Sequence, residues 1–159
     1  MQRGGREEVL EVIFQGVEQA CPAPGVCAAL AQAEVILICP SNPIISIGTI
    51  LAVPGIRDAI VDSPAPVVAV SPIVAGKTLK GPADLMLRGL GLEVSACGVA
   101  QYYGDLLHGL VIDTQDAGLQ PRLAGMGLQV EVTNTVMRSL EDKRALARTT
   151  LTLAKVLST

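Results

Sequence analysis

The chain has 159 residues, half of them hydrophobic and 17% charged, with 12 Lys and Arg against 15 Asp and Glu for a formal charge of −3. That balance excludes intrinsic disorder, argues against nucleic acid as a partner and suits a single well-buried domain over residues 1–159. Aromatic residues make up 2%, with no Trp, so no base-stacking surface or aromatic sugar platform is available and the core must be Val, Ile, Leu and Ala.

In chain order, residues 9–14 read as a strand ending at Gly16. Cys21-Pro22-Ala23-Pro24-Gly25 is a rigid connection into a helix over 25–33. Val35-Ile36-Leu37-Ile38-Cys39 is the clearest strand, and its lack of polar alternation is how a strand covered on both faces reads. A helix over 54–61 follows, then a strand over 66–70 and a helix over 82–90. Strands over 110–113 and 129–132 flank a short helix over 121–126. Proline at or near these helix starts suits its fixed φ and missing donor. The last helix is best marked, because Ser139-Leu140-Glu141-Asp142 resembles a capping box and Leu140, Leu146, Leu153 and Leu157 follow at near-helical spacing. Strands alternating with helices predict an α/β fold, a three-layer Rossmann-like arrangement with a mostly parallel sheet and helices on both faces.

In such sheets ligands sit beyond the carboxyl ends of the strands. Two loops there carry polar groups. Pro40-Ser41-Asn42-Pro43-Ile44-Ile45-Ser46-Ile47-Gly48 offers Ser41, Asn42 and Ser46 as donors, while Pro43 removes one; it is either a polar cradle or a strand-to-helix turn with ordinary caps. Ser71-Pro72-Ile73-Val74-Ala75-Gly76-Lys77, with Lys80-Gly81-Pro82 after it, combines backbone access at Gly76 with two cations, though it lacks the Walker spacing. Asn134 and Thr135 follow the last predicted strand and fall on the same edge if the strands are parallel, as ligand contacts or as a helix cap. His108 reads as a loop residue, and Asp113 and Asp116 read as turn formers rather than metal ligands. Cys21, Cys27, Cys39 and Cys97 show no C-x-x-C spacing, so no zinc pattern is present. Apolar runs are broken by Pro, Gly or Ser before the roughly 20 residues that a membrane span needs. No signal-peptide pattern precedes the charged stretch from Arg3 to Glu8, so the chain is expected to be cytoplasmic, with reduced thiols.

The two loop blocks, with Leu51-Ala52-Val53-Pro54-Gly55-Ile56-Arg57 between them, Tyr103-Gly104-Asp105 and Val132-Thr133-Asn134-Thr135, together resemble the 2-phospho-L-lactate transferase family. The resemblance covers nearly the whole chain, as the C-terminal half of the family's fold. It implies transfer of a phospholactyl or phosphoenolpyruvyl group from a guanosine diphosphate-linked donor to the hydroxyl of the deazaflavin Fo, releasing GMP, in coenzyme F-420 biosynthesis. It implies Mg²⁺ as cofactor, with its acidic ligands and the Gly-rich nucleotide loop in the N-terminal half that this chain does not resemble; no metal ligand is assigned here. The substrate-binding residues it implies are Ser41, Asn42, Pro43, Ser46, Gly48, Ser71, Pro72, Gly76, Lys77, Lys80, Thr133 and Asn134. Where a family member carries Val-Thr-Asp-Thr, this chain has Asn134 in place of Asp. The partners expected are small-molecule substrates, with a homo-oligomer left open. Two other readings are a nucleotide-sugar-binding regulator of the same superfamily and a non-catalytic assembly module that pairs through an exposed sheet edge.

Overall fold

A computed structural model of the protein describes residues 9 and 11–158. Four strands form one parallel sheet: β1 (Ile36–Ile38), β2 (Val67–Val70), β5 (Gly109–Asp113) and β6 (Gln129–Thr133), in the order β1-β2-β5-β6. A separate two-stranded hairpin, β3 (Ile73–Val74) with β4 (Lys77–Thr78), follows β2. The helices are α1 (Val26–Ala31), α2 (Gly48–Leu51), α3 (Ile56–Val61), α4 (Ala83–Gly89), α5 (Ala96–Tyr103), α6 (Gln120–Ala124) and α7 (Leu140–Leu157). A π-helical turn at Pro43–Ile47 precedes α2, and a 3-10 turn, Thr114–Leu119, links β5 to α6.

The central strands β2 and β5 are buried along their whole length, and their side chains divide between two cores as the period of two requires. Val67, Ala69, Leu110 and Ile112 join the larger core, with Leu87, Val99 and Leu123 from the helices. Val68, Val70 and Val111 point the other way and pack under Leu146, Leu153 and Ala154 of α7. The sheet therefore carries helices on both faces, as a Rossmann-like fold requires. Gly109 lets α7 lie close: a Cβ there would be 3.0 Å from Leu157 and 3.2 Å from Leu153. No helix among the described residues is long and apolar enough to cross a membrane.

The capping box at the start of α7 is present in both halves. Asp142 N–H donates to Ser139 Oγ at 3.1 Å, and Ser139 N–H donates to the Asp142 carboxylate at 2.8 Å. Leu146 and Leu153 are buried as the periodicity predicts, whereas Leu140 is 62% exposed, because it lies in the first turn, before the helix reaches the sheet.

Two expectations fail. The described part of 9–14 is not a strand; Leu10 lies outside the described residues. Val9 and Val12 pack on the larger core while Ile13 is exposed, which does not follow a strand's period of two, and the segment lies on helices and finds no ladder. Its backbone crosses α4 at Gly89, where a Cβ would overlap the Val9 carbonyl. Conversely, α5 is absent from the sequence reading. All of Ala96-Cys97-Gly98-Val99-Ala100 is buried, so no polar face marks a helical period. Its start is fixed by Ser95, whose Oγ accepts from Cys97 N–H and Gly98 N–H.

The carboxyl end of β5 carries a buried acid. Asp113 Oδ2 accepts from Thr135 N–H at 2.8 Å and from Thr135 Oγ1 at 3.1 Å, and Oδ1 accepts from Gln115 N–H at 3.0 Å. Burial pushes this carboxyl upward in pKa, but the hydrogen bonds from Gln115 and Thr135 outweigh it and hold it below the usual carboxylate range. Three residues on, Asp116 accepts through both oxygens from Ala75 N–H, at 3.1 and 3.0 Å, which anchors the tip of the β3–β4 hairpin. His108 is an exposed loop residue, as expected, and its Nδ1 accepts from Val67 N–H at 3.0 Å.

Two outcomes are expected from denaturant titration. Leu110→Ala, at a fully buried position, should cost about 2 to 5 kcal/mol. Asp113→Asn puts an amide where two backbone N–H donors converge and should cost about 1 to 3 kcal/mol near neutral pH. Because the folded pKa of Asp113 is depressed, its contribution is full above the unfolded value, about 3.9, and is lost as pH falls from there through the folded value. Asp113→Asn should remove that part of the acid dependence; an unchanged acid profile would contradict the assignment.

Candidate functional site

Because all four strands of the main sheet are parallel, the loops after β1, β2 and β6 emerge at one edge. There they enclose a cavity of about 650 Å³. Its walls are Pro40, Ser41, Asn42 and the π-helical turn after β1; Ser71 and Pro72 after β2; Leu79 to Ala83 after the hairpin; and Thr135, Val136 and Met137 after β6.

The wall after β1 is an ordered cap. Asn42 Oδ1 accepts from Ile44 N–H at 2.9 Å and Ile45 N–H at 3.1 Å, and its Nδ2 lies 3.4 Å from Met86 Sδ. Pro43 is buried at the first position of the turn, where a missing donor costs nothing. Asn42 thus spends its oxygen on the backbone, while the hydroxyls of Ser41 and Ser46 line the cavity half-exposed. Pro43 and Gly48 lie outside the lining. Gly48 is required by packing: a Cβ there would stand 2.6 Å from the Tyr102 hydroxyl and 3.0 Å from the Pro43 carbonyl.

The wall after β2 separates the second group of candidates. Ser71 is buried and forms a local turn, donating to Ile73 O at 3.0 Å and accepting from Ile73 N–H at 3.2 Å. Pro72 lines the cavity beside it. Gly76 does not: it follows Ala75 in the two-residue hairpin turn, where φ is 48° at Ala75 and 73° at Gly76, the positive values of a type I′ turn. It faces a shallower hollow of about 330 Å³ with Glu93, Ser95, Gln115 and Asp116. Lys77 is exposed on β4 and lines neither hollow, whereas Lys80 does line the cavity and is the one formally charged residue among the described residues that do.

The third wall shifts the site along the chain. Thr133 pairs with Asp113 in the ladder and Asn134 is exposed, its side chain folded onto the backbone of Val136; neither lines the cavity. The lining comes from Thr135, Val136 and Met137 instead, with Thr135 held by Asp113. The edge position named both Asn134 and Thr135, and the structure keeps Thr135, which the buried Asp113 at the end of the neighbouring strand holds in place. Asp113 and Asp116 form turn contacts, as read from the sequence.

The arrangement offers hydroxyls, aliphatic walls and one cation. It does not fit a resident Mg²⁺, because no carboxylate lines the cavity and, among the described residues, no three His, Cys, Asp or Glu side chains group to hold a metal.

Comparison with known proteins gives a consistent result. The family profile described as 2-phospho-L-lactate transferase CofD matches residues 1–147. The phosphoenolpyruvate transferase of Streptomyces coelicolor is 48% identical over 145 residues, covering 91% of this chain and 46% of that protein. The 2-phospho-L-lactate transferases of Methanosarcina barkeri and Methanocaldococcus jannaschii are 40% and 37% identical, over 90% and 93% of this chain and 46% of each relative. The chain thus spans about half the length of the curated relatives it matches. With the family profile matching residues 1–147, the chain belongs to the 2-phospho-L-lactate transferase CofD family.

Proposed function

We propose that the protein contributes the acceptor-and-phosphate face of a transferase of coenzyme F-420 biosynthesis, as the C-terminal half of the family's fold. The reaction moves a phospholactyl or phosphoenolpyruvyl group from a guanosine diphosphate-linked donor to the hydroxyl of Fo. The acceptor oxygen bonds to the phosphorus that carries the transferred group as the bond from that phosphorus to the bridging oxygen breaks. GMP leaves with the bridging oxygen, and the hydroxyl proton passes to solvent. Such a displacement needs alignment and charge neutralisation rather than a covalent enzyme intermediate.

The observation that carries this reading is the cavity at the carboxyl edge, where the loops after β1, β2 and β6, distant in sequence, meet. Aliphatic walls from Ile45, Pro72, Val74 and Val136 suit a flat deazaflavin ring, and Ser41, Ser46 and Lys80 suit the charged phosphoryl groups. The acids that would hold Mg²⁺ are assigned to the half of the fold this chain does not span. The setting is taken as the cytoplasm, with small molecules rather than nucleic acid as partners.

Fo fluorescence titrated with the protein, with and without GDP and Mg²⁺, tests the reading. Saturable quenching or a spectral shift is expected, and a flat titration with folded protein would overturn it. Lys80→Ala should weaken the GDP-dependent response by about 1 to 3 kcal/mol, roughly 5- to 150-fold. Lys77→Ala should leave it unchanged, since that side chain lies outside the cavity. Equal loss from both, or from neither, would remove Lys80 from the site.

A further inference from the structure

The cavity wall between the β3–β4 hairpin and α4 is the loop Leu79-Lys80-Gly81-Pro82-Ala83, every residue of which lines the cavity. It carries Lys80, yet it has little of its own to fix its shape. Leu79, Lys80 and Gly81 take part in no hydrogen bond or ion pair among the described residues. Gly81 sits at φ 84°, with nothing within 4 Å of where a Cβ would stand, so neighbouring side chains do not confine it either. A stretch of this kind samples many backbone conformations unless its ends are held.

Its ends are held to each other. Thr78, the last residue of β4, donates from Oγ1 to Asp84 Oδ1 at 2.7 Å, and Asp84 N–H donates back to Thr78 Oγ1 at 3.4 Å. The first is the short bond of a hydroxyl on a carboxylate; the second is long, so the first is the main tie. Both residues are half-buried. On its other side Thr78 pairs with Ile73 in the hairpin, and the Ser71 hydroxyl engages both the N–H and the carbonyl of Ile73. A line of contacts thus runs from buried Ser71 to Asp84 and closes the neck of the loop.

Helix capping alone does not account for the pair. The residue that caps α4 is Pro82, which supplies no side-chain bond, and Thr78 Oγ1 gives the Asp84 N–H an acceptor in its place. A cap needs only that acceptor, whereas here the carboxylate also turns back to take the hydroxyl's hydrogen. We infer that Thr78 and Asp84 are positioning residues, whose hydrogen bond clamps the loop and holds Lys80 at the cavity wall to meet the charge of a diphosphate ligand. The role of Lys80 in meeting that charge rests on the function proposed above, whereas the clamp is a property of the free chain.

Two measurements on the full chain separate a clamp from a plain cap. The first is backbone ¹⁵N relaxation of the free protein. The Lys80 amide should have the order parameter of rigid backbone, about 0.85, and Thr78→Val, which keeps the shape and removes the hydroxyl, should lower it below about 0.6 while residues 85–89 stay rigid. Thr78→Ser should restore it. The second is the GDP-dependent Fo fluorescence response, which Thr78→Val should weaken about tenfold, within the reach of one charge-assisted hydrogen bond. Adding Lys80→Ala to Thr78→Val should then weaken it by less than about twofold more, because members of one network are not additive. Asp84→Ala should give the same losses and replaces Thr78→Val if that variant does not fold. An unchanged Lys80 order parameter in these variants, or the full Lys80→Ala loss on top of Thr78→Val, overturns the clamp and leaves the pair as a cap of α4. If the wild-type chain shows no GDP-dependent response, the proposed reaction fails, and the relaxation data alone decide the clamp.

Discussion

Two carboxylates on one short turn hold the carboxyl edge of the sheet in shape. Asp113, at the end of β5, binds the backbone and hydroxyl of Thr135, and Asp116, three residues later, binds the backbone of Ala75. The first fixes the chain after β6, a wall of the cavity, and the second fixes the tip of the β3–β4 hairpin, which faces the shallower hollow. Both acids are buried, and a buried carboxylate is costly unless hydrogen bonds satisfy it. That cost makes the arrangement specific, because displacing either loop strands a buried acid without its donors. The lowered pKa of Asp113 is the electrostatic side of the same fact.

What these walls enclose has a definite chemical character. Hydroxyls and one lysine sit among aliphatic side chains, without a carboxylate. In our reading such a surface orients a neutral ring and neutralises part of a diphosphate's charge, and it leaves the metal to the half of the fold that this chain does not span.

Most of the architecture was legible in the sequence because burial on both faces leaves a plain signature. The uninterrupted runs at β1 and β2, the prolines near helix starts and the capping box at Ser139 each state a local preference that the packing follows. The misses share one cause, which is that the deciding contact is distant in sequence. The small residues of α5 make a helix so buried that no polar face reveals it. Residues 9–14 read as a strand from their apolar run, but Val9 lies against α4 where Gly89 leaves room for its backbone. At the site, Gly48 and Asn42 were legible as special positions, yet Tyr102 and the turn's own backbone claim them for structure. Lys77 lies on β4 and Lys80 in the bend after it, where it lines the cavity, and Thr135 enters the cavity while Asn134 does not, with Asp113 reaching across from β5 to hold it.

The central claim, that the loops after β1, β2 and β6 form one ligand cavity at the carboxyl edge, is tested most directly by amide chemical-shift mapping on isotopically labelled protein as Fo and then GDP are added. The account predicts shifts concentrated at Ser41, Ser46, Ser71, Lys80 and Thr135 through Met137. Shifts confined to Gly76, Gln115 and the shallower hollow, or none at any of these positions in a folded protein, would contradict it.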